Sequence, residues 1–406
     1  MTPSLLDKAA RSAALRLGDR LRDGSIILHE GGAEIVLGTG QPAVHVSVHD
    51  LRFYGALVRG SRGMGESYIR GWWDCDDLTT LVRLLLRNLA GPGQVLDRVG
   101  AAASPVIDPV ARLRRPDKVV DRRNVRAHYD IGNDFYALML DRTMTYSCGL
   151  FERGDMSLAD AQTAKLDRIC QALELSPSDH ILEIGAGWGS FAVHAASRYG
   201  CRVTTTTVSA AQHAWASKRI ADAGLAARVT VLQDDYRDLR GTYDKLVSIE
   251  MIEAVDWRDH GTFFQACADL LRPDGLAAIQ AIVIADPSFE RAKHHDDFIR
   301  RYIFPGGCLP SITRIVSTAG RSGLRMVQLE DIGHHYPETL RRWRANVHRH
   351  EEEVAAMGLG TDFRRMWDLY TTYCEAAFLE RHVSDVQVLL AKARWRRHLQ
   401  SSHARK

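Results

Sequence analysis

The sequence predicts an α/β protein: a mostly parallel sheet with helices on both faces, preceded by a small α+β domain. Three observations carry this. From about residue 160 onward, helical and strand patterns alternate, the order that builds a parallel sheet covered on both faces. The first strand of that series runs into a glycine-rich turn, Gly185-Ala186-Gly187-Trp188-Gly189. Ahead of residue 60, short alternating segments lie between glycine-bearing turns, the pattern of a small sheet.

Taken in order, residues 4–22 read as an amphipathic helix, with Leu5, Leu15 and Leu21 among alanines and basic residues. Segments 25–29, 33–37 and 43–48 read as a small antiparallel sheet, and helical patterns follow at about 50–60 and 77–89. The Gly91-Pro92-Gly93 break and the stretch 105–116 read as a connection, which puts the domains at 1–115 and 116–406. The α/β series then runs as a helix at 158–173, a strand at 180–184, a helix at 189–199 and a strand at 203–208. A helix at 210–223, strands at 229–233 and 245–250, a helix at 257–271 and a strand at 276–284 complete it. Ligands in such sheets sit beyond the carboxyl ends of the strands. Functional residues are therefore expected in the loops after 184, 208, 233, 250 and 284, and the stretch 286–312 is long enough to be a lid or substrate-binding insertion.

At 406 residues the chain fits two domains on a prior of roughly 150 residues each. A hydrophobic share of 45% with 25% charged residues is ordinary for a globular protein. The net charge of +3 makes no case for a polyanion, and no nucleic-acid partner is expected. Basic residues do cluster locally, at Arg112, Arg114, Arg115, Lys118, Arg122, Arg123 and Arg126 and again around Trp395. Seven cysteines at irregular spacing form neither a disulfide framework nor a paired metal site, which implies a reducing cytoplasm. His334 and His335 have no companions at ligand spacing, so no metal is expected. The N-terminus lacks the apolar core of a signal peptide, and no run approaches the ~18 apolar residues of a membrane span. Any membrane contact is therefore expected to be peripheral, at the inner face.

The turn narrows the chemistry. Glycine permits a tight strand-to-helix turn and lets backbone N–H groups approach a ligand. The spacing here is G-x-G-x-G behind the acidic Glu183, whereas a dinucleotide fingerprint needs G-x-G-x-x-G with an acid about 20 residues on. The second strand ends instead in Thr204-Thr205-Thr206-Thr207-Val208-Ser209 and supplies no such carboxylate. The pattern fits S-adenosylmethionine better than a dinucleotide; an ordinary α/β turn and another nucleotide site are the alternatives.

Five segments then carry a family likeness: A-H-Y-D-I-G-N-D-F-Y (127–136), M-T-Y-S-C-G-L-F (144–151), L-E-I-G-A-G-W-G (182–189), Q-D-D-Y-R-D-L (233–239) and R-Y-I-F-P-G-G-C-L-P-S (301–311). In these the chain resembles the cyclopropane-fatty-acyl-phospholipid synthases and mycolic acid cyclopropane synthases, S-adenosylmethionine-dependent enzymes acting on acyl-chain double bonds. G-M-G-E-S-Y-I-R-G-W-W-D (63–74) resembles the fatty-acyl-phospholipid branch. The resemblance implies a Rossmann-like methyltransferase sheet and, as catalytic base, a bound bicarbonate ion. Its holders map onto Cys148, Glu253, Gln280, the backbone at Ile282, and Tyr336. For the cofactor it implies Tyr146 and Ser147 at the methionine end and Glu183, Gly185, Gly187, Trp188 and Gly189 at the turn. Thr207 and Gln212 follow the second strand, with Asp235 and Tyr236 at the adenine end.

One departure stands out. Family members commonly carry a histidine where this chain has Gln280, in Ile279-Gln280-Ala281-Ile282. Together with E-M-I-E-A-V (250–255), this is similar to a subgroup associated with methyl-branched, tuberculostearic-type fatty acids. That subgroup attaches a methylene branch, which a separate reductase then saturates.

Each residue also has a plainer reading. Cys148 can be a small buried hydrophobe, Trp188 a packing residue at a helix start, Asp235 an N-cap and Tyr336 a packed aromatic. Glu250, three residues before Glu253, is its rival. Gln280 can donate a hydrogen bond to an anion but cannot titrate as histidine does, or it is a buried amide satisfied by backbone. Tyr302, Ile303, Phe304 and Pro305 are candidates for an acyl tunnel or for ordinary core. The basic segment 112–126 would gain up to ~1 kcal/mol per residue at an anionic membrane, or is a solvated face. The N-terminal helix is a candidate for peripheral binding or homodimer formation. The expected activity is C-methylation of a double bond in an unsaturated phospholipid acyl chain. The alternatives are a small-molecule methyltransferase and a lipid-binding homologue without catalysis.

Overall fold

A computed structural model describes residues 5–88, 131–294 and 297–396. The contacts divide the chain into two units, each drawn from separated stretches. One holds Met1–Arg142, Ile284–Leu309 and Ile332–Asp385; the other holds Thr143–Val283, Pro310–Asp331 and Val386–Lys406. The boundary expected at 115/116, the Gly91-Pro92-Gly93 break and the basic segment 112–126 lie outside the described residues.

In the first unit, strands β1 (Gly24–Glu30), β2 (Ala33–Thr39), β3 (Ala43–Val48) and β4 (Trp73–Cys75) form a sheet in the order β2-β1-β3-β4. β1 and β2 are a hairpin closed by Gly31 and Gly32, at φ +58° and +85°, the conformation a two-residue loop requires. The antiparallel expectation holds for that pair, but β1 and β3 are parallel, with Ile26 opposite Val44 and Leu28 opposite Val46; the short β4, not expected from the sequence, is antiparallel to β3. Burial explains the correction. β2 is an exposed edge, whereas Val44, Val46 and Val48 are buried and need the covered centre beside β1.

Helices Leu78–Arg87 and Thr361–Leu379 share an apolar core in which Val82 and Leu86 meet Ala376 and Ala377. From the second of these helices, Arg365 braces the 63–74 motif. It donates to the Tyr68 and Trp73 carbonyls at 2.6 and 2.8 Å and pairs with Asp74 at 2.7 Å. Tyr302, in helix Phe298–Tyr302, donates to Glu66 Oε1 at 2.9 Å, and Phe304 lies edge-on to Tyr370. Ile303 is buried, whereas Tyr302 and Phe304 are half-buried.

In the second unit, strands β5 (His180–Ile184), β6 (Arg202–Thr206), β7 (Val229–Leu232), β8 (Tyr243–Ile249), β9 (Leu271–Ile284), β10 (Arg325–Asp331) and β11 (Val383–Ala391) build a seven-stranded sheet. Its order is β10-β11-β9-β8-β5-β6-β7. The five strands from β7 to β9 pair in parallel, and β10 is antiparallel to β11. Side chains alternate across it, as a strand period of two demands. Leu182, Leu246 and Ala277 face one core with Phe263, Phe264 and Ile315. Ile181, Val247 and Ala278 face the other, with Leu166, Phe191 and Ile220. Helices His260–Leu270 and Ile312–Arg321 supply the first layer; Leu158–Ala172, Ser190–Tyr199 and Ala210–Asp222 supply the second. The covering of both faces is thereby met, and the carboxyl ends of β5 to β9 meet at one edge.

Candidate active site

The turn after β5 is built on positive backbone angles, φ +103° at Gly185, +49° at Gly187 and +84° at Gly189. A Cβ at 185 would lie 3.1 Å from Met251 Cγ, and one at 189 would lie 3.3 Å from Ala216 Cβ. At 187 it would meet nothing within 4 Å. Glycine at 185 and 189 thus allows close packing, while 187 faces open space. Two of the turn's amides are taken up within the protein: Gly185 and Ala186 donate to the Thr206 carbonyl at 3.1 and 2.8 Å, tying the turn to β6. Trp188 is buried.

Beneath the turn, Glu183 is 3% exposed, and its Oε2 is closed to solvent without a hydrogen-bond partner. Burial pushes its carboxyl up to about 8, with Thr205 and Lys165 pulling the other way. Ser147 is gripped from helix Leu158–Ala172. Gln162 Nε2 donates to its carbonyl at 2.7 Å and Lys165 Nζ to its Oγ at 2.5 Å. Both residues are fully buried. Sequence reasoning missed them; the available signal was two long polar side chains at i and i+3 on the apolar face of that helix. Tyr146, next to Ser147, is half-buried.

After β6, Thr207 Oγ1 donates to Gln212 Oε1 at 2.9 Å, and Ser209 caps helix Ala210–Asp222. After β7, the buried Asp235 accepts from the Arg237 amide at 3.0 Å and from its guanidinium at 2.8 Å, capping a single turn. The capping reading of Asp235 is therefore met in form. Tyr236 packs edge-on to Phe263 at 5.5 Å.

After β8 the chain carries two carboxyls. Glu250 has φ +47°, a conformation that costs a non-glycine residue about 1 kcal/mol or more. Its Oε1 accepts from the Cys148 amide and from Gln280 Nε2, both at 2.8 Å, and its own amide donates to the Gln280 carbonyl at 2.9 Å. Gln280 Oε1 accepts in turn from Gln387 Nε2 at 3.1 Å. Glu253 Oε1 accepts from the Ile282 amide, while its Oε2 is closed to solvent and has no hydrogen-bond partner. Burial, and then the neighbouring Glu250, push Glu253 up to about 8. Cys148 is fully buried, with Sγ directed at the Gly149 carbonyl at 3.4 Å.

Glu250 thus joins Cys148 to Gln280, Glu253 bonds Ile282 two residues further along β9, and Met251 packs against Gly185. Tyr336 belongs to the first unit, where it opens helix Tyr336–Arg349 and lies on Phe378 with ring centroids 4.4 Å apart. Among the described residues, no group of three or more His, Cys, Asp or Glu could hold a metal ion.

The chain matches the mycolic acid cyclopropane synthetase family over residues 117–388. It belongs to that family. It is 39% identical over 345 residues to the tuberculostearic acid methyltransferase UfaA1 of Mycobacterium tuberculosis, covering 82% of this chain and 79% of that one. It is 34% identical over 345 residues to the cyclopropane-fatty-acyl-phospholipid synthase of Escherichia coli, covering 84% and 85%. These shares exceed what residues 117–406 alone would supply, so the likeness reaches into the N-terminal part. Among solved structures, the mycolic acid cyclopropane synthase CmaA1 complexed with SAH and CTAB superposes with a TM-score of 0.63. It is 30% identical, over 67% of this chain and 98% of that one. The Rossmann-like methyltransferase fold expected from the mycolic acid cyclopropane synthetase motifs is thus established for the second unit's sheet.

Proposed function

We propose that this chain transfers the methyl group of S-adenosylmethionine to a double-bond carbon of an unsaturated acyl chain carried on a phospholipid, then removes a proton from the added carbon. The observation that carries this reading is Met251 packed on Gly185, because it sets the Glu250–Glu253 acid pair beside the strand-end turn. The turn suits the nucleotide: Gly187 opens on space, and the buried Glu183 keeps an oxygen without a partner. In this reading Ser147, fixed by Lys165 and Gln162, orients the methionine end together with Tyr146. Thr207, Gln212, Asp235 and Tyr236 line the nucleoside end.

When bound, S-adenosylmethionine supplies an electrophilic methyl group on a sulfonium. An isolated alkene is a weak nucleophile, so the chain's part is alignment and exclusion of water. The resulting cation must lose a proton to a base beside it. A separately bound bicarbonate, which the resemblance implies, does not fit the donors: Cys148, Gln280 and Ile282 already donate to Glu250 and Glu253. The identity to UfaA1, above that to the E. coli synthase, favours a methylene-branched product over a cyclopropane. A separate reductase would then saturate the branch. Contact with the inner face of the membrane belongs to the same proposal, since the substrate is a phospholipid. Among the described residues no helix is long and apolar enough to cross a membrane.

The test is incubation with methyl-labelled S-adenosylmethionine and dioleoyl phospholipid vesicles, followed by mass spectrometry and NMR of the acyl chains. The expected product gains one CH2, with the label on a vinylic branch carbon. Label on a headgroup oxygen or nitrogen, or none on lipid, would refute the reading.

A further inference from the structure

The donors that would hold a free anion converge on a side chain of the protein itself. The Cys148 amide and Gln280 Nε2 both reach Glu250 Oε1 at 2.8 Å. A bond from Gln387 Nε2 to its Oε1 at 3.1 Å favours this orientation of the Gln280 amide. The backbone carrying this carboxylate has φ +47°, and its amide is pinned to the Gln280 carbonyl at 2.9 Å. Uncommon backbone angles kept by several bonds are a feature of working sites. A carboxylate is chemically a tethered counterpart of bicarbonate, with oxygens that accept hydrogen bonds and take one proton.

We propose that Glu250 is the resident base of the site, its carboxylate standing where a bicarbonate would otherwise bind. This rests on the acyl-chain methyltransferase reading. The sulfonium C–S electron pair leaves with sulfur, and the alkene π pair forms the new bond to the methyl carbon, leaving a cation on the neighbouring chain carbon. A hydride shift moves the cation to the methyl-bearing carbon. One C–H bond of the added methyl then breaks, its electron pair forms the C=CH2 double bond of the methylene branch, and the proton goes to the Glu250 carboxylate. Without the hydride shift, the same C–H pair closes a cyclopropane and the proton has the same destination. In either case the base must stand where the methyl group arrives, and Met251 on Gly185 brings Glu250 to that turn. Glu253 complements the role. Two adjacent carboxyls do not both ionise readily, and Glu253, raised by burial and then by Glu250, keeps its proton. The negative charge rests on Glu250, which has the donors.

The test begins with the wild-type full chain, labelled S-adenosylmethionine and dioleoyl vesicles in buffer stripped of carbon dioxide. Acyl methylation is expected to be the same with and without added bicarbonate. A rate that falls about tenfold on stripping and returns with bicarbonate overturns this proposal. No acyl methylation under either condition overturns the functional reading instead. Glu250→Gln keeps the shape and a hydrogen-bond acceptor but not the basicity. It should lose about 100-fold or more in turnover with S-adenosylmethionine binding unchanged by calorimetry; near-wild-type turnover overturns the proposal. Glu250→Gly should regain turnover on addition of formate. Failure of formate and bicarbonate alike, in a variant that still binds S-adenosylmethionine, also overturns it.

Discussion

Replacing Glu183 by glutamine should remove a pH dependence from the protein's stability. Burial raises the native carboxyl from its ordinary 4.5 to about 8. A raised acid holds its proton in the folded protein while the unfolded chain has released it. Its contribution is therefore fully present below about pH 4.5, falls as pH rises, and is gone above about pH 8. Each pH unit in that window corresponds to about 1.4 kcal/mol, so the full span is worth about 5 kcal/mol as an upper figure. Glutamine is neutral throughout and lacks the slope. Urea unfolding of both proteins at pH 5, 6, 7 and 8, followed by tryptophan fluorescence, should show Glu183→Gln gaining on wild type by about 4 kcal/mol from the lowest pH to the highest. Parallel curves would refute the reasoning. Such parallel curves would mean that Glu183 is already ionised in the fold at pH 5.

Three further predictions concern the turn and the cluster. Gly185→Ala forces a Cβ onto φ +103° and to within 3.1 Å of Met251 Cγ; thermal unfolding should show a loss of about 1–3 kcal/mol, and calorimetry weaker S-adenosylmethionine binding. Gln280→His disturbs both the bond to Glu250 and the bond from Gln387, so NMR of the products should show a changed ratio of methylene to cyclopropane; an unchanged ratio would remove Gln280 from the product decision. Cys148→Ala keeps the amide that donates to Glu250 and should cost about 1 kcal/mol for the small void while keeping most turnover. A collapse of turnover would assign a role to the sulfur itself.

The strands that carry the site were legible because short runs rich in Val, Ile, Leu and Thr alternate with helical patterns, and β5 was bounded to the residue by its own glycine turn. β10 and β11 were not read: β10, Arg325–Asp331, is mostly exposed and polar, with no apolar period to reveal it. The parallel pairing of β1 with β3 was missed because strand order depends on which edge is covered, a property of distant residues. Of the residues the motifs named, Cys148 and Gln280 share Glu250 as a partner and Glu253 bonds Ile282, while Tyr336 belongs to the first unit. The motifs did not reveal that Glu250 joins the first two, since its bonds reach across 102 residues to Cys148 and 30 to Gln280. Lys165 and Gln162 were hidden for a related reason. On a helix they look like two polar positions among many, and only the Ser147 loop packed against them makes them a clamp.

The central claim is that the carbon delivered by S-adenosylmethionine loses a proton after it reaches the acyl chain. Feeding the enzyme CD3-labelled S-adenosylmethionine with dioleoyl phospholipid, and counting deuterium in the modified acyl chain by mass spectrometry, tests it directly. The account predicts that two deuterium atoms are retained on the added carbon, whether the product is a methylene branch or a cyclopropane. Retention of all three would contradict it.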